Sequence, residues 1–397
     1  MKIASLEAMT VRVPYKRDET SALINRGGIT EVIVKLTTDD GRVGWGECTR
    51  AADTRGIASA VEAMRPLVVG RDPWDKEAIH RDLALPALWA FQPMTGNFAF
   101  AGIDMALWDL SGKATGQPLY RMLGGALRKS VDYFYYLEWS SANDIALQAR
   151  DGRKKGYTVY YLKVGIDERR EEEMLEALRD SIGPEGRIRI DVNQAWNGPQ
   201  AVRLLKRWHE RFRLDFCEGP VRIDPLENML DLKHQVSAPL CVNEGLWREA
   251  DAWRIIKSRC GDYLCFSPYW VGSIARFHML AWAAHLEGWQ VVKHTHGELG
   301  LAAAACQHVM LAIPNASDGH QQTAQLMADD ILTRPVPIAD APTWGRIEAP
   351  GLGVEVDEDK LHRYREAYLE HGEFPTYVGR TSQSAEEILS LKSQLQR

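Results

Sequence analysis

The amino-acid sequence predicts an α/β protein built on a (β/α) barrel, with a separate α+β region in front of it. Three observations carry this. After about residue 128, short apolar runs recur roughly every 25 residues with helix-like stretches between most of them, the texture of parallel βα units. The 397 residues exceed what one ordinary core holds, so two domains are expected. No glycine-rich phosphate loop follows the first strand, which disfavours the rival open doubly wound sheet. The boundaries read as 1–127 for the α+β region, 128–350 for the barrel and 351–397 for a C-terminal segment packing back on the first region.

In chain order, MKIASLEAMTVRV alternates like a strand and lacks the apolar h-region of a signal peptide. EVIVKLTTDDGRVGWGEC alternates around Asp40-Gly41, a hairpin signal that makes Gly41, Gly44 and Gly46 structural. Residues from about 57 to 123 read as helices. In AFAGIDMALWDLSGKA, Ile103, Ala106, Leu107 and Leu110 share one face. The barrel strands are read in VDYFYYLEW, VYYLKVG, RIRIDVNQ, LDFCEGP, PLCVNEG, DYLCFSPY and QVVKHTHG. The closing TSQSAEEILSLKSQLQR reads as a weakly anchored polar helix.

Composition narrows the class. Hydrophobic residues at 45% and charged residues at 26% fit a globular chain. A net charge of −6 without basic runs excludes a nucleic-acid footprint and a membrane surface. No apolar stretch approaches the ~18 residues of a membrane span. Six cysteines occur without CxxC pairing, and Cys241, Cys260 and Cys265 sit in or beside apolar runs, so reduced core thiols in a cytoplasmic protein are expected. Symmetric assemblies are common among soluble proteins, so a homo-oligomer is expected.

Catalytic groups of a βα barrel stand where strands end. Asp191 ends RIRID, Glu218 ends LDFCE and Glu244 ends LCVNE, about one βα unit apart. Three oxygen ligands without sulfur suit a hard cation, Mg²⁺. Asn193 follows Asp191 and can orient it or reach substrate. One unit earlier, alternation in VYYLKVG puts Tyr161 and Lys163 on the same side. A lysine beside Mg²⁺ in a partly desolvated site has its pKa lowered and can accept a proton. QVVKHTHGELG offers His294 and His296 on one face, one of them to stand across the site as general acid or second base, with the other and Lys293 as substrate contacts and Glu298 capping or opening the next helix.

With these residues in view, the chain resembles the mandelate racemase branch of the enolase superfamily over nearly its whole length. GRVGWGE and IDMALWDLSGKATGQPLYRMLGG are similar to that family's capping domain, and LKVG, DVNQAW, CEGP and NEG to its barrel. The resemblance implies an enolase-type barrel under an α+β capping domain. It implies Mg²⁺ on Asp191, Glu218 and Glu244, Lys163 as base at the second position of a Lys-x-Lys motif, and His294 as the catalytic histidine. It implies capping loops over the substrate near residues 16–28 and 49–55, with Trp89 as a further wall; the polar loop LINRGG itself favours a second anionic or hydroxylated end of the substrate, met by Arg26. Two positions depart from the pattern. Tyr161 replaces the first lysine, and Ser267 stands where the aspartate partner of the histidine is usual, beside the substrate. The acidic residue of the last barrel strand falls in PNASDGHQ, at Asp318 or His320.

A racemase needs two competent bases, and a histidine without its aspartate argues against that. The reading is therefore Mg²⁺-assisted abstraction of an α-proton from a small carboxylate by Lys163, with ene-diolate stabilisation and loss of a β-hydroxyl, a hydro-lyase reaction on a hydroxy acid or sugar acid. His294, or Tyr161 as a phenol, donates the departing proton. Isomerase or cycloisomerase chemistry on an unsaturated acid is the alternative, with Tyr161, Tyr269, Trp270, Trp89 and Phe91 lining an apolar pocket. A racemase or epimerase, and a barrel that only binds, follow behind.

Overall fold

A computed structural model describes the backbone of residues 1–49, 54–90 and 93–374, and the side chains of all of these except 84–90 and 93. The expectations placed on Trp89, Phe91 and the closing helix after residue 380 fall outside the described residues.

The N-terminal region is a three-stranded antiparallel sheet, β1 (Ile3–Thr20), β2 (Asn25–Thr38) and β3 (Val43–Cys48), backed by helices α1 (Thr54–Val68), α2 (Lys76–Ala90) and α3 (Pro93–Thr115). The stretch read as a loop over residues 16–28 is instead the end of the β1–β2 hairpin, with Thr20 opposite Asn25. Ser21 Oγ closes its tip by accepting the Leu23 and Ile24 amides. The glycines of GRVGWGE let β3 lie against α3: a side chain at Gly46 would run into the Gly102 carbonyl. Ile103, Ala106, Leu107 and Leu110 on that helix are fully buried, as their spacing predicts.

A short α4 (Leu119–Met122) leads into the second region. VDYFYYLEW splits in two. Its start, β4 (Ser130–Asp132), pairs antiparallel with β12 (Thr343–Gly345), and only β5 (Tyr135–Leu137) joins the barrel. Seven parallel strands then follow in sequence order: β5, β6 (Val159–Lys163), β7 (Arg187–Asp191), β8 (Leu214–Glu218), β9 (Leu240–Val242), β10 (Tyr263–Phe266) and β11 (Gln290–Lys293). Residues 315–321 form the eighth stave without becoming a regular strand. They bridge Val291 on one side and Tyr133 on the other, closing the circle.

Outer helices follow each strand: α5 (Ala142–Lys154), α6 (Glu168–Ile182), α7 (Gly198–Phe212), α8 (Glu227–Gln235), α9 (Glu249–Ser258), the short α10 (Pro268–Val271), α11 (Ile274–Leu286) and α12 (Gly300–Ala312). Ser141, Asp167 and Asn197 cap α5, α6 and α7 with their side chains. In α7, Ala201, Leu204, Leu205, Trp208 and Phe212 make the buried stripe, and each large side chain contributes ~1.5–3 kcal/mol. No helix among the described residues is long and apolar enough to cross a membrane. All six cysteines are buried free thiols.

The two regions are tied at particular points. Glu47, at the end of GRVGWGE, caps α12 by accepting the Leu299 and Ala302 amides at 2.7 and 2.9 Å. Glu298, expected to open that helix, is instead buried in an ion pair with Lys293. Asp104 on α3 accepts the first amide of α11, Ile274, at 2.7 Å, and Asn97 donates to the carbonyls of Trp247, in the loop after β9, and Trp270, in α10. The last described helix, α13 (Glu358–His371), lies on the N-terminal sheet through Lys35–Glu358, and Arg12 stacks on Phe374 just beyond it.

Candidate active site

The sheet register sets Lys163, Asp191 and Glu218 level with one another on β6, β7 and β8. Glu244 follows β9 by two residues. Asp191 Oδ1 accepts the Asn193 amide at 2.8 Å, and its Oδ2 accepts both the Tyr161 hydroxyl at 2.6 Å and Lys163 Nζ at 2.5 Å. Asn193 Oδ1 also accepts Lys163 Nζ at 3.1 Å. Glu218 Oε2 accepts Gln321 Nε2 at 2.6 Å, whereas its Oε1 is buried with no hydrogen-bond partner among the described residues. Glu244 comes so close to the backbone that a Cβ at Gly219 would lie 2.8 Å from its Oε2.

The electrostatics of this cluster call for a cation. Burial, with Asp191 close by, pushes the Glu218 carboxyl well above the carboxylate range, and the same causes push Glu244 up to about 7. An orphaned buried carboxylate oxygen carries a desolvation penalty of ~1–3 kcal/mol or more. Three carboxylates at adjacent strand ends fit a hard divalent ion. Burial alone would lower Lys163, but Asp191, Glu19 and Glu218 outweigh it and hold the ammonium above its ordinary value. The expected fall in its pKa therefore does not occur while the neighbouring carboxylates stay charged.

His294 directly follows β11 and lies close enough to Lys163 to feel its charge. Its Nδ1 lies 3.1 Å from the Tyr269 hydroxyl, which donates to the His294 carbonyl at 2.8 Å. With the phenolic proton on the carbonyl, Nδ1 donates to the phenol oxygen and Nε2 is left as the free acceptor. Burial, then His296, Lys163, Lys293 and Arg26, holds His294 well below the imidazole range. Tyr269, two residues beyond Ser267, thus fills the orienting place that the missing aspartate leaves. A neutral phenol orients the ring without raising its basicity.

Several expected substrate contacts are corrected. Ser267 is fully buried and donates to the His294 carbonyl, so it fixes backbone. Lys293 points away from the mouth into its pair with Glu298 and the Gln321 carbonyl. His320 accepts the Lys293 amide and packs edge-on to Tyr133, and Asp318 pairs with Arg187 at 2.6 Å, so neither supplies an acid at the mouth. Gln321 is the side chain that the eighth stave brings to Glu218. Arg26 is a buried strand residue locked to Glu19 at 2.7 Å and to the His296 carbonyl at 2.6 Å. Glu19, absent from the sequence expectations, brings the hairpin's negative charge toward Lys163 and accepts the Tyr136 hydroxyl at 3.4 Å. Tyr161 is buried against Asp191, a place for orienting that carboxylate rather than for donating to a substrate. Half-buried His296 stays beside His294, 5.3 Å between ring centroids. Beside Asn193, a cavity of about 1110 Å³ opens between the loops after β7 and β8, with Leu23 of the hairpin tip in its lining.

Comparison with known proteins agrees with this geometry. Residues 6–124 match the mandelate racemase/muconate lactonizing enzyme N-terminal domain, and residues 144–360 match the enolase C-terminal domain-like family. The chain belongs to the mandelate racemase/muconate lactonizing enzyme family. A D-galactonate dehydratase family member of Streptomyces bingchenggensis is 30% identical, covering 90% of this chain and 96% of that protein. The N-succinyl-L-Arg/Lys racemase of Bacillus cereus is 26% identical over 91% of this chain and 97% of its own length. The crystal structure of the B. cereus enzyme superposes with a TM-score of 0.84, covering 92% of this chain and 98% of that one. An isomerase structure from Streptomyces coelicolor A3(2), 30% identical, gives 0.81 over 92% and 99%. Family members of different reaction types thus share this fold, and the reaction has to be argued from the site.

Proposed function

We propose that this protein is a Mg²⁺-dependent enzyme that removes the proton α to the carboxylate of a small substrate, and that it completes the dehydration of a hydroxy acid or sugar acid. The observation that carries the reading is the pair Lys163, at the end of β6, and His294, just after β11, which flank the strands leading to Asp191, Glu218 and Glu244 and have opposite protonation tendencies. The three carboxylates would hold the ion. When bound, Mg²⁺ supplies Lewis-acid stabilisation of the charge that builds on the substrate carboxylate as the α-proton leaves.

Lys163 is the base. Its proton is held by the charge of Asp191, and once a cation claims that charge, burial works the other way and frees the amine. Tyr161 and Asn193 keep Asp191 and Lys163 in register. His294, neutral at rest, becomes a strong acid whenever it is protonated, which suits delivery of a proton to a departing hydroxyl. The α C–H bond breaks, the Cα–Cβ double bond forms, the β C–O bond breaks and water leaves. The enol then tautomerises to a 2-keto-3-deoxy acid. A racemase is served better by two bases of similar strength, and this pair is mismatched. Epimerisation is the second reading, favoured by the Tyr269 contact that leaves His294 Nε2 as an acceptor.

The test is incubation with Mg²⁺ and a panel of hydroxy acids and sugar acids in D₂O, followed by proton NMR and mass spectrometry. A 2-keto-3-deoxy product that disappears in Lys163→Ala and Asp191→Ala supports dehydration. Deuterium uptake into recovered substrate without product moves the assignment to epimerisation. Absence of both, with the ion bound, overturns the reading.

A further inference from the structure

We propose that Glu218, Cys241 and Cys265 form a second cation site, selective for a thiophilic ion such as Zn²⁺ or Cd²⁺, beneath the three-carboxylate cluster. The residues come from adjacent staves, β8, β9 and β10. The two thiols pack with Phe216 and Val292 in a small cluster of their own, apart from the main core. A carboxylate oxygen of Glu218 and the two sulfurs lie within 4.8 Å of one another, all buried. A ~2.3 Å zinc–sulfur bond is reached from that spread by side-chain movement.

The Glu218 carboxylate has ligating capacity to spare: its Oε1 is buried without a hydrogen-bond partner among the described residues. Gln321 Nε2 stands 3.1 Å from Cys265 Sγ and 2.6 Å from Glu218 Oε2. Turning that amide over presents its oxygen to the same two groups, a fourth donor for a tetrahedral ion. Two sulfurs exclude Mg²⁺ and Ca²⁺, which take oxygen, and select a soft or borderline cation.

A disulfide is the other chemistry open to two thiols, and the register disfavours it. Cys241 pairs with Tyr263, so Cys265 is two residues further along its strand. Strands ~4.8 Å apart with a ~3.3 Å rise per residue put the two Cα atoms ~8 Å apart. A disulfide spans no more than ~6.8 Å.

Glu218 belongs to both sets of ligands, so the two cations compete. A thiophilic ion that takes Glu218 leaves the carboxylate cluster short of one ligand. The proposal stands on the positions of these side chains and not on the reaction proposed above. Its readout is spectroscopic, so a failure of either reading is told apart from a failure of the other.

The metal-free, full-length protein would be titrated with Cd²⁺ while following sulfur-to-metal charge-transfer absorption in the ultraviolet. One ion per chain is expected, with the absorption lost in Cys241→Ser and in Cys265→Ser. It should be kept in Cys260→Ser, whose buried thiol lies outside this cluster. Excess Mg²⁺ should raise the Cd²⁺ concentration needed at least tenfold. X-ray absorption of the Zn²⁺-loaded wild type, which depends on no variant, should count two sulfurs at ~2.3 Å. Cd²⁺ binding without the absorption, zinc surrounded only by oxygen and nitrogen, equal loss in all three serine variants, or no binding, each overturns the proposal.

Discussion

Tyr161 and Lys163, two residues apart on β6, converge on a single atom, Asp191 Oδ2, at 2.6 and 2.5 Å. A phenol therefore stands where the Lys-x-Lys pattern of the family has a second ammonium, and the cluster keeps one more uncompensated negative charge. A hydrogen bond to a charged group contributes ~1.5–3 kcal/mol. Tyr161→Phe should slow α-proton exchange by roughly 10- to 100-fold. The loss should fall in kcat and in the Mg²⁺ requirement rather than in KM for substrate. An unchanged Mg²⁺ requirement would remove Tyr161 from the support of Asp191.

The carboxylates give the metal-free protein a distinctive pH dependence. Glu244 titrates at about 7 and Glu218 well above the carboxylate range, both raised by burial and by Asp191. Their unfolded values are ~4.3. The folded chain then binds more protons in between, so each contributes stability that is complete below ~4.3 and is lost as pH rises through its folded value, about 7 for Glu244. Thermal midpoints with a chelator should fall over that interval, and Mg²⁺ should flatten the fall. Raised groups remote from the site, such as Glu47 at about 8 and Asp104 at about 7, act with or without the ion. The difference between the two curves therefore isolates the site. Parallel curves would mean that Glu218 and Glu244 do not meet the cation.

Glu47 offers a test of how the first region is fastened to the barrel. Its carboxylate holds two amides of α12 from a different sheet. Glu47→Ala leaves buried amides unpaired and should lower unfolding stability by about 2 kcal/mol in urea. Glu47→Gln should cost less than half as much, because burial raises this carboxyl to about 8 and a neutral group already suits the place. Equal losses in the two variants would mean that charge, and not the hydrogen bonds, fastens the joint.

Gly219 tests the packing of the carboxylates. It has φ +49 and a Cβ there would meet Glu244 Oε2 at 2.8 Å. Gly219→Ala should displace Glu244 and weaken Mg²⁺ binding at least tenfold by titration calorimetry. Cooperative unfolding should persist, with a backbone cost of ~1–2 kcal/mol. Undiminished binding would show that Glu244 has room to move aside.

How much of this was legible in the sequence follows from the range of each interaction. Asp191, Glu218 and Lys163 are placed by strand-end position and by the two-residue period, both local. The same logic misassigned Lys293, because alternation cannot say whether a buried ammonium turns inward to Glu298 or outward to the mouth. Tyr269 as the partner of His294, Gln321 as the partner of Glu218, and the pairing of Arg26 with Glu19 were not legible. Tyr269 acts from a one-turn helix, Gln321 from a stave too irregular to read as a strand, and Glu19 from a hairpin whose contact with the barrel is set only when the whole chain has folded. Glu47 lay in a recognised motif, yet its partner helix begins some 250 residues later, and no periodicity spans that gap.

The eighth stave has one further consequence. Residues 315–321 are held to their neighbours by isolated bridges rather than by a continuous ladder, and Gln321, at their upper end, grips Glu218. The cylinder therefore has a seam, and its clasp is bonded to an oxygen of the cation cluster. On the proposed cation binding at Glu218, occupancy at the mouth and closure of the wall would become a single equilibrium. Amide hydrogens along this seam, at Ser317, His320 and Gln321, should exchange more slowly when the ion is present.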